Sequence, residues 1–287
     1  MNVFDAKPRK WWAAFLFGLL LPGLGQVYNG QLKKGVTFFV LFVLLAALLA
    51  LLVALQWLNP VVLMVTMFSL RLYILFEAPF AAKNLGEDFI LKPYNRWHVY
   101  LSLILAGSFL FEAGEYLVEK RVVQAHSIPS EAMEDTLVPG DYIFARKFNF
   151  TTPAGQFQVG DILVFQSPED PQLNLVKRCV ATAGQTVQIR DKELYVDGQP
   201  FAEPPGVKFA DPHTLPAAQS DRDNFGPHTV PPDHLFFLGD NRDNSRDSRF
   251  YGSVPKALVR GKAVSIYSSW DEQLNQVRWE RIGQKID

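Results

Sequence analysis

Residues able to do chemistry are few in this chain, and several common kinds of site find no support. Five histidines are spread along 287 residues without the spacing of metal ligands. No Ser/His/Asp arrangement and no glycine-rich phosphate loop is evident. The single cysteine excludes a disulfide framework and argues against a cysteine-based zinc site. A net charge of −1 without a basic stripe argues against a nucleic-acid-binding protein.

Three polar segments are better candidates for a site. Ser127–Asp141 contains Ser130, Leu175–Arg178 carries a basic pair, and Gly239–Pro255 begins Gly-Asp-Asn-Arg-Asp-Asn-Ser. Each has a plain structural interpretation when it is taken alone. The first is typical of a turn before a strand, the second of a solvated strand face, and the third of a polar loop with internal hydrogen bonds.

All three segments lie in the polar part of the chain, residues 119–287, which must therefore position them. Short runs there alternate apolar and polar residues between turn residues, and Asp197-Gly198 indicates a tight β-turn. Residues 200–233 contain eight prolines and are expected to form a loop-rich insertion. The pattern predicts a mainly antiparallel β domain with strands at Tyr142–Phe148, Asp161–Gln166, Leu173–Ala181, Thr186–Ile189, Glu193–Val196, His234–Leu238 and Lys262–Tyr267.

Residues 1–118 hold nearly all the long apolar runs and predict a membrane region. Val36–Leu55 is twenty residues without a charge, which at about 1.5 Å per residue crosses a hydrocarbon core of roughly 30 Å. Further transmembrane helices are predicted at Val61–Ala81 and Trp97–Val118. Because a charge at membrane depth costs a few kcal/mol, Arg71 should face other helices, water or a partner.

The first apolar run, Trp11–Leu24, is too short to span comfortably and meets Pro22-Gly23, which favours a break. We expect residues 11–32 to form a re-entrant or interfacial hairpin. All basic clusters then lie in the cytoplasm, and three crossings carry residues 119–287 outside. A full crossing by Trp11–Leu24 is the alternative, but with the same outer domain it leaves the N-terminal basic cluster outside.

Taken together, the three polar segments resemble bacterial type I signal peptidase, a membrane-anchored serine endopeptidase family that removes signal peptides. The resemblance covers nearly all of residues 119–287, and the run that starts at Gly239 is its most specific part. It implies a signal-peptidase-like β fold, a bacterial inner (plasma) membrane location and no cofactor. The implied partners are signal peptides of exported preproteins and the lipid bilayer, with the secretion machinery as a further candidate.

The resemblance also implies a Ser/Lys dyad. A serine hydroxyl is a poor nucleophile until a base removes its proton, and lysine can do so only when desolvation lowers its pKa towards neutrality. By motif match, Lys177 is the general base, Ser245 orients its amine, and Ser130 stabilises the oxyanion together with a backbone N–H. The match assigns apolar pockets for small substrate residues, usually Ala, at positions −1 and −3 to Ile128, Pro129, Met133, Leu137 and Val176. It assigns structural charge pairs to Asp240, Arg242, Asp247 and Arg249.

The sequence departs from the family pattern at the nucleophile. Where the family has Ser-x-Ser-Met, this chain has Ser130-Glu131-Ala132-Met133, and Glu134-Asp135-Thr136 replaces the usual x-Pro-Thr. A methyl group cannot attack a carbonyl. The alternatives are an altered serine at position 132, a naturally inactive relative, a different local alignment or mechanism, or Ser130 as substitute nucleophile. The last rests on an extended segment, in which side chains two residues apart share a face.

Two hypotheses for function follow. One is a membrane-bound signal peptidase that cleaves after small residues of the Ala-x-Ala type. The other is a catalytically inactive module that binds signal peptides without cleaving them. A third, resting on Arg71 alone, places the function in residues 1–118 with the β domain as a cap.

Overall fold

The computed structural model describes residues 8–55, 57–86, 89–147 and 157–286. Phe148, the end of one predicted strand, lies outside these residues. The chain divides into two compact units, residues 1–119 and 120–287. The first unit is helical, and the second is built mainly from β-strands.

Three long apolar helices dominate the first unit. Leu32–Val53, Pro60–Lys83 and Trp97–Leu117 are long and apolar enough to cross a membrane by length and composition. The first of these helices begins four residues before the predicted span and includes Lys33 and Lys34, and the Lys34 amine pairs with Glu77. The helices of this unit are α1 (Trp11–Leu20), α2 (Leu24–Tyr28), α3 (Leu32–Ala54), α4 (Pro60–Lys83) and α5 (Trp97–Arg121).

Helix α1 runs antiparallel to α4 and ends opposite the middle of that helix. Near its start, the Trp11 ring lies 5.5 Å from the Lys83 amine. Near its end, Arg71 Nη2 donates a hydrogen bond to the Leu19 carbonyl over 2.8 Å. Arg71 therefore faces another helix, as the sequence suggested, and it satisfies a carbonyl that the end of α1 leaves free.

The chain reverses direction between α1 and α2. Gly23 has φ +89°, and a Cβ on it would lie 2.0 Å from the Gly35 carbonyl oxygen, so only glycine fits. After the reversal, the buried side chains of Gln26 and Asn29 donate hydrogen bonds to backbone carbonyls of α4 over 2.8 and 2.7 Å. Residues 11–28 thus pack as a hairpin against α4.

The second unit contains an eight-stranded sheet of order β1-β2-β11-β3-β4-β9-β10, with β12 paired to β11, and a four-stranded sheet of order β7-β6-β5-β8. Every pairing between these strands is antiparallel. The prediction of a mainly antiparallel β domain is confirmed. The strands are β1 (Val123–Ser127), β2 (Asp141–Arg146), β3 (Ile162–Gln166), β4 (Asn174–Thr182), β5 (Thr186–Arg190), β6 (Glu193–Val196), β7 (Gln199–Pro200), β8 (Phe225–Thr229), β9 (His234–Leu238), β10 (Val254–Pro255), β11 (Val259–Asp271) and β12 (Gln276–Val277).

All seven predicted strands occur, with ends shifted by a few residues at most sites. Asp197 and Gly198 have φ of 51° and 75°, as the tight turn between β6 and β7 requires. The expected loop-rich insertion contains one strand that the sequence did not suggest. This strand, β8, holds Gly226-Pro227, which is typical of a turn, and it forms by pairing with β5.

The core of the β unit lies on both faces of the larger sheet. Val176 packs against one cluster, which includes Ile128 and Met133. Its neighbours along β4, Leu175 and Cys179, pack in a second cluster on the opposite face, because successive strand residues point to opposite sides. Lys177 shares the face of Leu175 and Cys179, and the strand therefore places its charged side chain against apolar residues.

Candidate active site

Lys177 is the most unusual charged residue of the β unit. Only 4% of it is exposed, although lysine is seldom buried without a partner. Burial lowers the pKa of its amine from 10.5 to about 8, and the carboxylate of Asp247 partly opposes this shift. An amine with this pKa exists partly in the neutral form near physiological pH and can accept a proton.

Gly239 connects Lys177 to the other candidate residues. Arg178 pairs with Leu238 across β4 and β9, so the same register brings Gly239 opposite Lys177. A Cβ on Gly239 would lie 2.2 Å from Ser245 Oγ and 2.4 Å from the Ala132 carbonyl oxygen. Glycine at this position therefore lets the Ser245 loop and the residue 132 loop approach the end of β9 closely.

Ser245 presents its hydroxyl in the interior. The residue is 8% exposed, and among the described residues its Oγ has no hydrogen-bond partner. It follows a short 3₁₀ turn at Arg242–Asn244 and has an extended backbone. A buried hydroxyl without a partner is costly, which is consistent with a group kept for a task other than packing.

Ion pairs hold the loop that carries Ser245. Of the predicted set, Asp247 and Arg249 pair with each other, whereas Asp240 and Arg242 bind partners outside it. Arg178 binds Asp240 through two hydrogen bonds of 2.9 and 2.8 Å. Arg249 binds Asp247 through two bonds of 2.8 Å, and Asp247 also accepts the Gly239 backbone N–H over 3.0 Å. The carboxylate of Asp247 is thus shared between its ion pair and the backbone next to Lys177. The remaining predicted member, Arg242, binds Glu203 of the insertion.

The loop around position 132 differs from the extended segment assumed from the sequence. Ser130 is exposed and extended, but Glu131–Met133 forms one turn of 3₁₀ helix. With about three residues per turn, side chains two positions apart point in different directions. The expectation that Ser130 and Ala132 share one face is therefore wrong, and the argument for Ser130 as substitute nucleophile loses its geometric basis.

The predicted substrate-pocket residues divide into two groups. Pro129 is exposed, and together with Ile128 it lines a cleft of about 630 Å³ that also includes Glu131 and Tyr142. Leu137 has no exposed surface and Met133 has 2%. The assignments of Met133 and Leu137 as substrate contacts are therefore wrong for this conformation, because both residues lie inside the core and pack beneath the surface of the cleft. Val176 is half-buried and packs against the core cluster that contains Met133 and Leu137.

Sequence reasoning missed the residues that join the loops to one another. The Asn241 backbone N–H donates to the Ala132 carbonyl over 3.2 Å, and its side-chain amide donates to the Glu131 carbonyl over 3.1 Å. These partners are separated by about 110 positions in the chain, so local patterns carry no signal for them. Within the described ranges, no group of three or more His, Cys, Asp or Glu residues could hold a metal ion.

Comparison with known proteins gives one consistent match. A sequence model of the family described as "Signal peptidase, peptidase S26" matches residues 97–270. Signal peptidase I of Pseudomonas aeruginosa is 33% identical, over 71% of this chain and 83% of the relative. Signal peptidase I of Aquifex aeolicus is 28% identical, over 56% of this chain and 82% of the relative. The crystal structure of a signal peptidase I from Enterococcus faecalis is 31% identical with a TM-score of 0.30, covering 37% of this chain and 96% of that one.

Proposed function

Because this chain belongs to the signal peptidase family, peptidase S26, we propose that its β unit binds signal peptides with small residues at positions −1 and −3, around a Ser/Lys-type site. The family consists of serine endopeptidases that cleave signal peptides from exported preproteins. Ile128, Pro129 and Val176 line the apolar pockets in this proposal, and Met133 and Leu137 support them from the core.

The observation that carries the proposal is the buried amine of Lys177. Desolvation is the effect that makes a lysine usable as a base near neutral pH, and burial lowers the pKa of Lys177 to about 8. The charge of Asp247 raises the pKa of Lys177 and the charge of Arg249 lowers it, so burial is the main cause of the net lowering. A purely structural lysine would be expected to reach solvent or to hold a carboxylate directly.

With a serine at position 132, the peptide bond would be cleaved in two stages, through an acyl-enzyme. The neutral Lys177 amine takes the hydroxyl proton as the oxygen bonds to the scissile carbonyl carbon. The hydroxyl of Ser130 and a backbone N–H stabilise the oxyanion. The Ser245 hydroxyl, which has no hydrogen-bond partner among the described residues, would have to bind the amine to orient it. When the intermediate collapses, the C–N bond breaks and the Lys177 ammonium returns the proton to the leaving amine. Water then bonds to the acyl carbon while the neutral Lys177 amine takes its proton, and the ester C–O bond breaks as the Lys177 ammonium returns that proton to the serine oxygen.

Ala132 favours a second candidate function for the chain as it stands. Without a nucleophile the site retains its base, its oxyanion donor and its pocket, so it could bind a signal peptide and release it uncut. Both functions share the same binding site and differ only in the hydroxyl at position 132.

One experiment tests both candidates with the full chain in lipid vesicles. We expect the unmodified chain to bind a preprotein with an Ala-x-Ala site and to leave it intact, and Ala132→Ser to cleave it. Adding Lys177→Ala to Ala132→Ser should abolish cleavage. If Ala132→Ser neither binds nor cleaves, the proposed function is wrong. If the unmodified chain cleaves and Ser130→Ala prevents it, Ser130 is the nucleophile despite its position.

We also propose that the chain is a multi-pass protein of the bacterial inner membrane with its β unit on the outer side. Three apolar helices support this proposal. If residues 11–28 re-enter the membrane without crossing it, three crossings place the start of α3 and the β unit on opposite sides. The positive-inside rule then leaves Lys33, Lys34 and Lys83 in the cytoplasm.

A further inference from the structure

Lys208, in the insertion between β7 and β8, is joined to the Ser245 loop through its backbone. The Lys208 N–H donates to the Asp240 carbonyl over 2.9 Å, and the Arg242 N–H donates to the Lys208 carbonyl over 3.0 Å. These bonds form an isolated parallel β-bridge between Lys208 and Asn241. The insertion is therefore fixed to the segment that begins at the end of β9.

The side chain of Lys208 reaches the other loop of the site. Its amine lies 2.7 Å from a Glu134 carboxylate oxygen and 3.7 Å from an oxygen of Asp135. The hydrogen bond with Glu134 raises the pKa of the Lys208 amine. One residue thus contacts both the segment that follows position 132 and the segment that leads to Ser245.

The backbone conformation of Asp135 is the reason that the contacts of Lys208 with Glu134 and Asp135 matter in this chain. Asp135 has φ +76°, whereas the family pattern has proline there, and a proline ring locks φ near about −65°. The loop therefore follows a course that proline could not adopt. A non-glycine residue in this region is strained, and the strain persists only where surrounding contacts enforce it. Among the described residues, the side chains of Glu134 and Asp135 contact Lys208 and Asn241, and backbone hydrogen bonds from the Glu134 N–H to Glu131 and from the Thr136 N–H to Met133 also hold this turn.

We infer that Lys208 is a positioning residue, which fixes residue 132 relative to Lys177 and Ser245 by tying Glu134 to the Asp240–Arg242 segment. The inference rests on the proposed function for its catalytic meaning. It adds to the role of the insertion, whose Glu203 already binds Arg242 in the loop that carries Ser245.

The first test uses Ala132→Ser in the full chain. Since a misplacement of about 1 Å can cost about 10²-fold in rate, we expect Lys208→Met to lower kcat at least about 10-fold with a smaller change in KM. Lys208→Arg should restore much of the rate, because it keeps the charge and the reach. Lys256→Met is the matched control, since Lys208 and Lys256 are 28% and 27% exposed and the Lys256 amine pairs with Asp233 at 3.8 Å, outside the loops of the site.

A second test does not require catalysis. In Ala132→Cys, the new thiol should have a lowered pKa if the Lys177 ammonium lies nearby, which the pH dependence of iodoacetamide alkylation measures. Cys179 does not interfere, because it is buried and its pKa is raised to about 12. We expect Lys177→Met to remove this lowering and Lys208→Met to remove much of it, whereas Lys256→Met should have no effect.

The two tests separate the two proposals. If Ala132→Ser is inactive but the thiol pKa responds to Lys208→Met, the positioning role holds and the proteolytic function fails. If Ala132→Ser is active and Lys208→Met changes neither kcat nor the thiol pKa, the positioning role is overturned. Loss of the thiol shift in Lys256→Met as well would show general destabilisation and would also overturn it.

Discussion

Arg178 and Asp240 form a doubly hydrogen-bonded ion pair whose side chains are 3% and 0% exposed. Arg178 follows Lys177 on β4, and Asp240 follows Gly239 at the end of β9. Asp240 also accepts the Thr136 hydroxyl over 2.6 Å. The pair therefore joins the strand of the base to both loops of the site.

Breaking this pair should be costly. In Asp240→Asn the buried guanidinium of Arg178 loses its carboxylate partner, and the loss of one member of a buried pair destabilises by about 3–5 kcal/mol in comparable cases. Urea unfolding of the chain in detergent would measure the loss. Asp233→Asn is the matched control, because Asp233 is 92% exposed and a surface change is worth within about 0.5 kcal/mol. Equal stability of the two variants would contradict the structural role of the pair.

Removing the buried amine should stabilise the protein. Below pH 8 the Lys177 amine is charged in both the folded and the unfolded chain. In the folded chain this charge is buried, and its desolvation lowers the stability of the fold. Between about 8 and 10.5 the folded chain loses the proton first, so its stability rises with pH. We therefore expect Lys177→Met to raise the Tm at pH 7 and the gain to shrink towards pH 10. Lys256→Met should give no such gain, and a lower Tm for Lys177→Met at pH 7 would contradict the assignment.

The same amine should set the pH dependence of cleavage. If Lys177 acts as a base, only its neutral form is active, so kcat/KM of Ala132→Ser should rise with pH and level off above an apparent pKa of about 8. Initial rates on a preprotein between pH 6 and 10 would measure it. A rate that is flat across this range, with chemistry shown to be rate-limiting, would exclude Lys177 as the base.

Much of the fold could be predicted because it is encoded by local patterns. Long uncharged runs predicted α3, and alternation predicted strands such as His234–Leu238 with correct ends. Strand β8 was missed since Gly226-Pro227 looks like a turn, and only pairing with β5 makes it a strand. Local propensity was overruled there by a contact between distant residues.

The residues of the candidate site could be predicted where a sequence motif marks them. They could not be predicted where contacts between distant residues bring them to the site. The resemblance to the family assigned Lys177 and Ser245 by motif match, but no pattern indicates that Lys208 contacts Glu134 or that Arg242 binds Glu203. Burial was the other source of error. Leu137 lies within the polar segment Ser127–Asp141, and only the three-dimensional structure shows that its side chain is enclosed.

The hairpin in the helical unit leads to a test of membrane topology. Helix α1 has ten residues, which at about 1.5 Å per residue cover roughly half of a 30 Å hydrocarbon core, and the Lys10 N–H donates to the Tyr28 hydroxyl over 3.3 Å after the reversal. Both ends should therefore lie at one face of the bilayer.

In sealed vesicles, we expect a membrane-impermeant maleimide to label Lys10→Cys and Lys33→Cys from the same side and Trp57→Cys from the other. Cys179 is buried, so we expect no labelling of it by the maleimide. Labelling of Lys10→Cys and Lys33→Cys from opposite sides would show that residues 11–28 span the membrane, and the proposed orientation of the β unit would then require an N-terminus outside.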